Sequence, residues 1–326
     1  DRLRSRGLGD VYKRQGYDLF HSIQYIADIM RHLPQMRGYD IVQVTNPVFF
    51  DLRPEKNWAI FKYLKKHNKK IFLDALAIDH YYVKACLDGK TFRYSDFFVG
   101  DQPLPHPERE KMLAAWIGGP NERPNIEMAQ EANGIIACLY EYYAAYQPEY
   151  ADKLAYIPIP IDLSINPFHP IKSTPEVVKF FIGIQQHRTA IKGTDILLDV
   201  LREIHDKYPR ESHIQKVVSV PFDEYNKLLV DCHILLDQLY SYTPATNALA
   251  AMARGIIAVS GAEPEFYNFI GEQKLRPIIN VLPDRNDIFK QLENLIIHRD
   301  QLPRLSTESR PVSYTHLRAH ETGAYL

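Results

Sequence analysis

The residues with the clearest capacity for chemistry lie in one loop, Gly183-Ile184-Gln185-Gln186-His187-Arg188-Thr189-Ala190-Ile191-Lys192-Gly193-Thr194-Asp195. Arg188 and Lys192 stand just ahead of an apolar-periodic run that reads as a helix from Asp195. A loop of this kind offers a phosphate group both positive charge and helix N–H donors. The same residue types also suit an ordinary solvated loop, so the surrounding pattern has to decide. A second polar stretch, Tyr240-Ser241-Tyr242-Thr243-Pro244-Ala245-Thr246-Asn247, precedes a helix of small residues. Thr243, Thr246 and Asn247 bring hydroxyl and amide groups, and a helix starting near Thr246 adds backbone N–H donors. Asp237 and Gln238 end the strand before it, at the edge of the same region.

Such loops need a scaffold that gathers strand ends, and the hydrophobic pattern supplies one. Leu19, Ile23, Ile26, Ile29, Met30 and Leu33 fall at helical spacing over residues 17–36. A strand over 39–44, a helix over 58–67 with a basic end, and a strand over 71–76 follow, an order that implies a parallel sheet with its ligand loops at the carboxyl ends of the strands. Residues 88–125 read as irregular, with one helix near 108–117. Strand 134–138, a helical turn at 141–146 and strand 154–160 complete a first unit. Pro160, Pro167, Pro170 and Pro175 then mark a linker. Beyond it the alternation restarts: strand 177–184, helix 195–208, strand 214–220, helix 222–230, strand 233–239, helix 246–253, strand 256–260 and helix 287–297. The expected fold is α/β, with two Rossmann-like doubly wound parallel-sheet domains facing a cleft, at 16–160 and 176–310, joined by 161–175.

Composition narrows the function. The 326 residues carry a formal net charge of -1, so no global basic field draws the chain to nucleic acid. Cys86, Cys138 and Cys232 are far apart and form no CxxC or Cys/His cluster, which supports neither a disulfide framework nor a zinc site. No apolar run approaches the length of a membrane span and no signal peptide is visible, so the cytoplasm is the expected location. No GxGxxG opens either unit and no GxxxxGK[ST] occurs, so neither a dehydrogenase nor a P-loop nucleotidase is supported. The ends, DRLRSRGLGDVYKRQ and PVSYTHLRAHETGAYL, lack amphipathic periodicity and resemble translated adapter read-through at the ends of metagenomic gene fragments. Residues 1–15 and 311–326 are therefore set outside the expected fold, and the first unit is expected to lack its opening strand.

The loop with Lys192-Gly193, the stretch Leu249-Ala250-Ala251-Met252-Ala253-Arg254-Gly255 and the segment Tyr156-Ile157-Pro158-Ile159-Pro160-Ile161-Asp162 together resemble retaining GT-B glycosyltransferases of family 4. The resemblance spans residues 39–310 and is densest over 176–270. It implies transfer of a sugar from a nucleoside-diphosphate donor to the hydroxyl of a glycan or lipid-linked acceptor, at or near a membrane surface. It further implies that Arg188 and Lys192 stabilise the departing diphosphate, without a metal or other cofactor. Gly193, Thr243, Thr246, Asn247, Asp237 and Glu265 would line the donor site, and His80, after the strand 71–76, would approach the donor sugar. The tyrosines of Tyr81-Tyr82 and Tyr140-Glu141-Tyr142-Tyr143 are candidates for stacking on an acceptor sugar.

One departure stands out. The E-x7-E pair that holds donor sugar and ribose in that family falls here on Tyr242 and Ala250. Two other expectations therefore stay open: a non-catalytic pair of sugar- or nucleotide-binding domains, and a GT-B sugar-nucleotide epimerase that needs no acceptor.

Overall fold

The computed structural model describes residues 19–318, and side chains from 23 to 314. The first lobe opens with α1 (Leu19–His32) and β1 (Ile41–Thr45). Next comes α2 (Pro54–His67), which starts at a proline whose missing N–H is not needed there and ends in the cations Lys65, Lys66 and His67. β2 (Lys70–Ala75) leads to α3 (His80–Leu87), capped by the Asp79 carboxylate accepting the Tyr82 N–H. The short hairpin β3 (Phe98–Val99) and β4 (Gln102–Pro103) precedes α4 (Pro107–Trp116), α5 (Glu122–Glu131), β5 (Gly134–Ala137), α6 (Tyr140–Tyr150) and β6 (Leu154–Tyr156). The sheet order is β1-β2-β5-β6, all parallel. Phe61, Leu73, Met128, Ile135 and Tyr146 are fully enclosed at its centre, each contributing roughly 2 kcal/mol of burial free energy.

The second lobe contains β7 (Val178–Ile184), α7 (Thr189–Lys192), α8 (Thr194–Lys207), β8 (Ser212–Val218), α9 (Phe222–Leu229), β9 (Ile234–Leu236) and α10 (Thr246–Ala253). It continues with β10 (Ile257–Ser260), α11 (Pro264–Phe269), β11 (Ile279–Asn280), α12 (Arg285–Ile297) and α13 (Leu302–Arg318). Its parallel sheet runs β11-β10-β9-β7-β8. Helices cover both faces, so the strand interiors are apolar on both sides: Phe180 and Ile182 enter one core, Phe181 and Leu235 the other. The fold is thus the expected α/β pair of doubly wound lobes, and the carboxyl ends of the second lobe's strands meet the first lobe.

Several local expectations change. The stretch read as irregular carries the hairpin and the start of α5. That helix escapes periodicity because Ile126, Met128 and Ala129 sit among Glu, Asn and Gln. α3 was not legible as a helix, since Tyr81-Tyr82-Val83 has strand propensity, and the Asp79 cap together with burial overrides it. The proline-rich segment has no regular element, yet it lies against the second lobe: Ile161 is buried, the His169 N–H reaches the Arg254 carbonyl, and Arg254 holds the Asn166 side chain. The boundary set at 310 falls inside α13, which runs on through Pro311 with Val312 and Ser313 buried. α13 packs on α10 and β10 of its own lobe. Residues 1–15 and 319–326 of the segments set aside lie outside the described residues.

Candidate functional site

Gly193 is where the cation loop becomes a helix. It closes α7 and opens α8 at φ +66, a left-handed conformation, and a Cβ there would stand 2.7 Å from Leu239. Arg188 caps the short α7 and Lys192 ends it, so the two cations lie one helical turn apart on one side. The Lys192 carbonyl accepts the Leu239 N–H at 2.9 Å, which fastens this turn to the end of β9. Both side chains are half-buried.

What faces them comes from the first lobe. Asp96 is half-buried there: desolvation raises its pKa, and a hydrogen bond from Tyr82 and the charges of Arg188, Arg109 and Lys192 oppose that rise. Arg109, itself buried, donates to the Asp96 carbonyl and to the Ala190 carbonyl on α7 at 2.6 Å. The cation pair identified from sequence therefore lies within electrostatic range of a first-lobe carboxylate.

The second polar stretch is held in the same way. Glu141, at the start of α6, accepts the N–H groups of Tyr242 and Thr243 at 2.8 and 3.0 Å and the Thr243 hydroxyl at 2.7 Å. Burial pushes its pKa up and these three donors pull against that. Beside it, the Arg93 guanidinium bridges Glu263 and Glu265 and lies over the Tyr242 ring, 5.1 Å from the centroid. Arg93 holds the Glu265 carboxyl below its ordinary pKa. Glu263 is buried and also accepts from the Tyr94 hydroxyl at 2.6 Å and the Asn280 amide at 3.0 Å. Tyr242, standing where the E-x7-E pattern has its first carboxylate, accepts the Arg93 N–H with its hydroxyl.

The structure thus brings Arg188, Lys192, Gly193, Thr243 and Glu265 to one contact between the lobes. Thr243 is occupied by Glu141, so its hydroxyl is not turned to a donor in this arrangement. Thr246 is exposed at the first turn of α10, and Asn247 donates to Asp237 Oδ1 at 2.9 Å. His80 is not among this group. It is the first residue of α3, 6% exposed, with Nδ1 paired to the Trp116 carbonyl at 2.9 Å and its N–H donating to Asn125. Its partners all belong to the first lobe, so its place is that of a core histidine at a helix start rather than a side chain reaching a donor sugar. Tyr81 and Tyr82 are likewise core residues, while Tyr140 and Tyr143 pack on Tyr242 and Phe269 and join the lobes.

Sequence reasoning missed Arg93, Asp96, Glu141 and Glu263 as residues of this contact. Arg93 and Asp96 lie in the stretch without periodicity, and Glu141 was legible only as one member of a tyrosine cluster. The pairing of Glu263 with Glu265 across Pro264 was a visible signal. Among the described residues, no group of three or more His, Cys, Asp or Glu side chains is placed to hold a metal ion, and no helix is long and apolar enough to cross a membrane.

Solved structures with the same architecture are GT-B proteins. Sucrose-phosphate synthase from Thermosynechococcus elongatus superposes with a TM-score of 0.57 at 12% identity, over 93% of this chain and 78% of that one. HepE of Anabaena, solved with UDP-glucose, gives 0.53 at 11% identity over 95% and 84%. WaaG, described as a glycosyltransferase of lipopolysaccharide biosynthesis, gives 0.50 at 15% identity over 92% and 96%. No protein-family model matches the chain, and no curated protein matches it in sequence. At these identities the likeness defines the fold, which is GT-B.

Proposed function

We propose that the chain is a retaining glycosyltransferase of the family 4 type, moving a sugar from a nucleoside-diphosphate donor to an acceptor hydroxyl. The observation that carries this reading is the Arg188 and Lys192 pair, one turn apart at the carboxyl end of β7 and directly before α8. As the bond from the sugar's anomeric carbon to the diphosphate lengthens, negative charge gathers on the phosphate oxygens. Two preorganised cations stabilise that charge more than they stabilise the intact donor. The acceptor oxygen then bonds to the anomeric carbon and gives up its proton to the departing diphosphate oxygen, and the nucleoside diphosphate leaves. In this reading the diphosphate reaches the cations beside Asp96, and Glu265 faces the transferred sugar once Arg93 moves away.

A second reading has its own support. Tyr242 and Ala250 replace both E-x7-E carboxylates, and Thr243 is tied to Glu141, which suits a binding protein that keeps the lobes and has lost turnover.

Calorimetric titration of UDP, GDP and ADP into the 326-residue chain and into Lys192→Ala tests the first step. The expected result is tight binding of one nucleotide, weakened about tenfold or more in the variant, with unchanged folding because a half-exposed loop cation adds little stability. Failure of all three to bind wild type overturns the reading. Where one binds, release of nucleoside diphosphate from its hexose conjugates, assayed with and without glycan acceptors, separates transferase from binding protein.

A further inference from the structure

The stretch around the β3–β4 hairpin reaches across the lobes in both directions. Tyr242 belongs to the second lobe by sequence, yet it is 2% exposed within the first lobe's core, its ring centroid 5.3 Å from Phe92 and 4.9 Å from Tyr94. In return Val99 and Leu104, on either side of the hairpin turn, pack on the core of the second lobe. Residues 92–104 thus form a strap. Its first part, with Phe92, Tyr94 and Phe97 buried, is set in one core, and its second part lies on the other.

The polar contacts of the strap fall on the groups that the proposed reaction needs. Arg93 bridges Glu263 and Glu265, Tyr94 donates to Glu263 at 2.6 Å, and the Arg93 N–H donates to the Tyr242 hydroxyl at 2.5 Å. Farther along, Asp96 acts on the charges of Arg188 and Lys192, and Arg109 ties the Asp96 carbonyl to the Ala190 carbonyl of α7. The two kinds of contact differ in strength. Apolar anchors such as Phe92 are lost only when a core opens, whereas the Arg93 side chain is 56% exposed, so water can take over its hydrogen bonds. Gly89 and Gly100 bracket this part of the strap at φ +64 and +56, with no neighbouring atom within 4 Å of where a Cβ would stand, which leaves both turns room to pivot.

We propose that residues 92–104 are an autoinhibitory strap, which holds the lobes closed over the cation loop before any ligand arrives and competes with a nucleoside diphosphate for that loop. The identity of the ligand rests on the glycosyltransferase reading; the closure does not. Release starts at Arg93, the accessible end of the ionic contacts, and frees Glu265 and then Tyr242. A protein that is closed about nine-tenths of the time binds its ligand about tenfold more weakly than its open form does, so loosening the strap strengthens binding. Tyr242 thereby has a role at a position where a carboxylate would have left the lobes free to part.

Amide hydrogen exchange and titration calorimetry with UDP, GDP and ADP, on the whole chain and on Arg93→Ala and Leu104→Ala, test this. The Tyr242 and Thr243 amides, which donate to Glu141 across the lobes, should exchange about tenfold or more faster in both variants, while those of β7 and α8 keep the wild-type rate. The diphosphate that wild type prefers should bind about threefold or more tightly to Arg93→Ala. Thermal melts check folding, and Leu104→Ala, at the far end of the strap, carries the exchange test if Arg93→Ala does not fold. Exchange at the wild-type rate in the folded variants overturns the strap, whatever binds. Faster exchange with no gain in affinity for a diphosphate that binds wild type overturns the competition. No binding by wild type or either variant overturns the transferase reading and the competition with it, and the exchange rates then decide the closure alone.

Discussion

Asp79 and Asp237 are both buried carboxylates near the start of a helix, one in each lobe, and they differ in their second oxygen. Asp79 caps α3 through the Tyr82 N–H, and its other oxygen accepts the Tyr146 hydroxyl at 2.8 Å. Around it Tyr146 also accepts from Asn125, Tyr81 pairs with Tyr150, and His80 holds the Trp116 carbonyl. Every one of these groups is satisfied by its own lobe. Asp237 has one oxygen on Asn247 and the other without a partner, and the Tyr225 and Ser260 hydroxyls near it are also buried and unpartnered. A closed network of this kind spends its polar groups on shape, whereas an open one leaves part of their desolvation uncompensated. The sequence made His80 and Asp237 look alike as candidates. Hydrogen-bond accounting separates them.

The comparison can be broken or sharpened by measurement. The largest effect is expected where the lobes are joined. Glu141→Ala would leave two backbone N–H groups and the Thr243 hydroxyl buried without acceptors, and should cost about 4 kcal/mol in denaturant unfolding. A loss under about 1 kcal/mol would show that this contact is not held in solution.

Next comes the pH dependence of the closed network. Burial, opposed by hydrogen bonds from Tyr82 and Tyr146, raises the Asp79 pKa from 3.8 to about 6. The folded carboxyl thus holds its proton more tightly than the unfolded one. Its contribution to stability is full below pH 3.8 and is lost as pH rises through about 6, by about 3 kcal/mol in all. Asp79→Asn should remove that share of the decline, so its stability curve between pH 4 and pH 7 should be flatter than that of wild type. Parallel curves would contradict the assignment.

A smaller pair of effects makes the contrast direct. Tyr146→Phe and Tyr225→Phe delete the same single atom in the two lobes. The first strips buried Asp79 and Asn125 of a partner and should cost about 2 kcal/mol, while the second removes an oxygen that pairs with nothing and should change stability by less than about 0.5 kcal/mol. Equal costs in chemical denaturation would mean that the two networks do not differ in the way described.

Much of the fold was legible because it is local. Alternating strands and helices, the proline-rich segment and the cation loop each depend on residues within a few positions of one another. The spacing of Arg188 and Lys192 fixes their common side as soon as a single helical turn forms. What escaped was long-range. Glu141 and Thr243 are 102 residues apart and Arg93 and Glu265 are 172 apart, and no periodicity encodes such pairings. Asp237 falls between: its strand end was visible, but only the register of three strands shows that Gly183, Asp237 and Ser260 share a face.

Asp96 has a further consequence. Because its charge acts on Arg188 and Lys192, an anion reaching them does not settle on a bare basic patch but shares the cations with a neighbouring carboxylate. The field it meets is partly neutralised, so binding should depend only shallowly on ionic strength. Small monoanions gain little beside that carboxylate. A ligand with several phosphate oxygens gains more, which makes the pairing a filter on valence before any sugar or base is inspected.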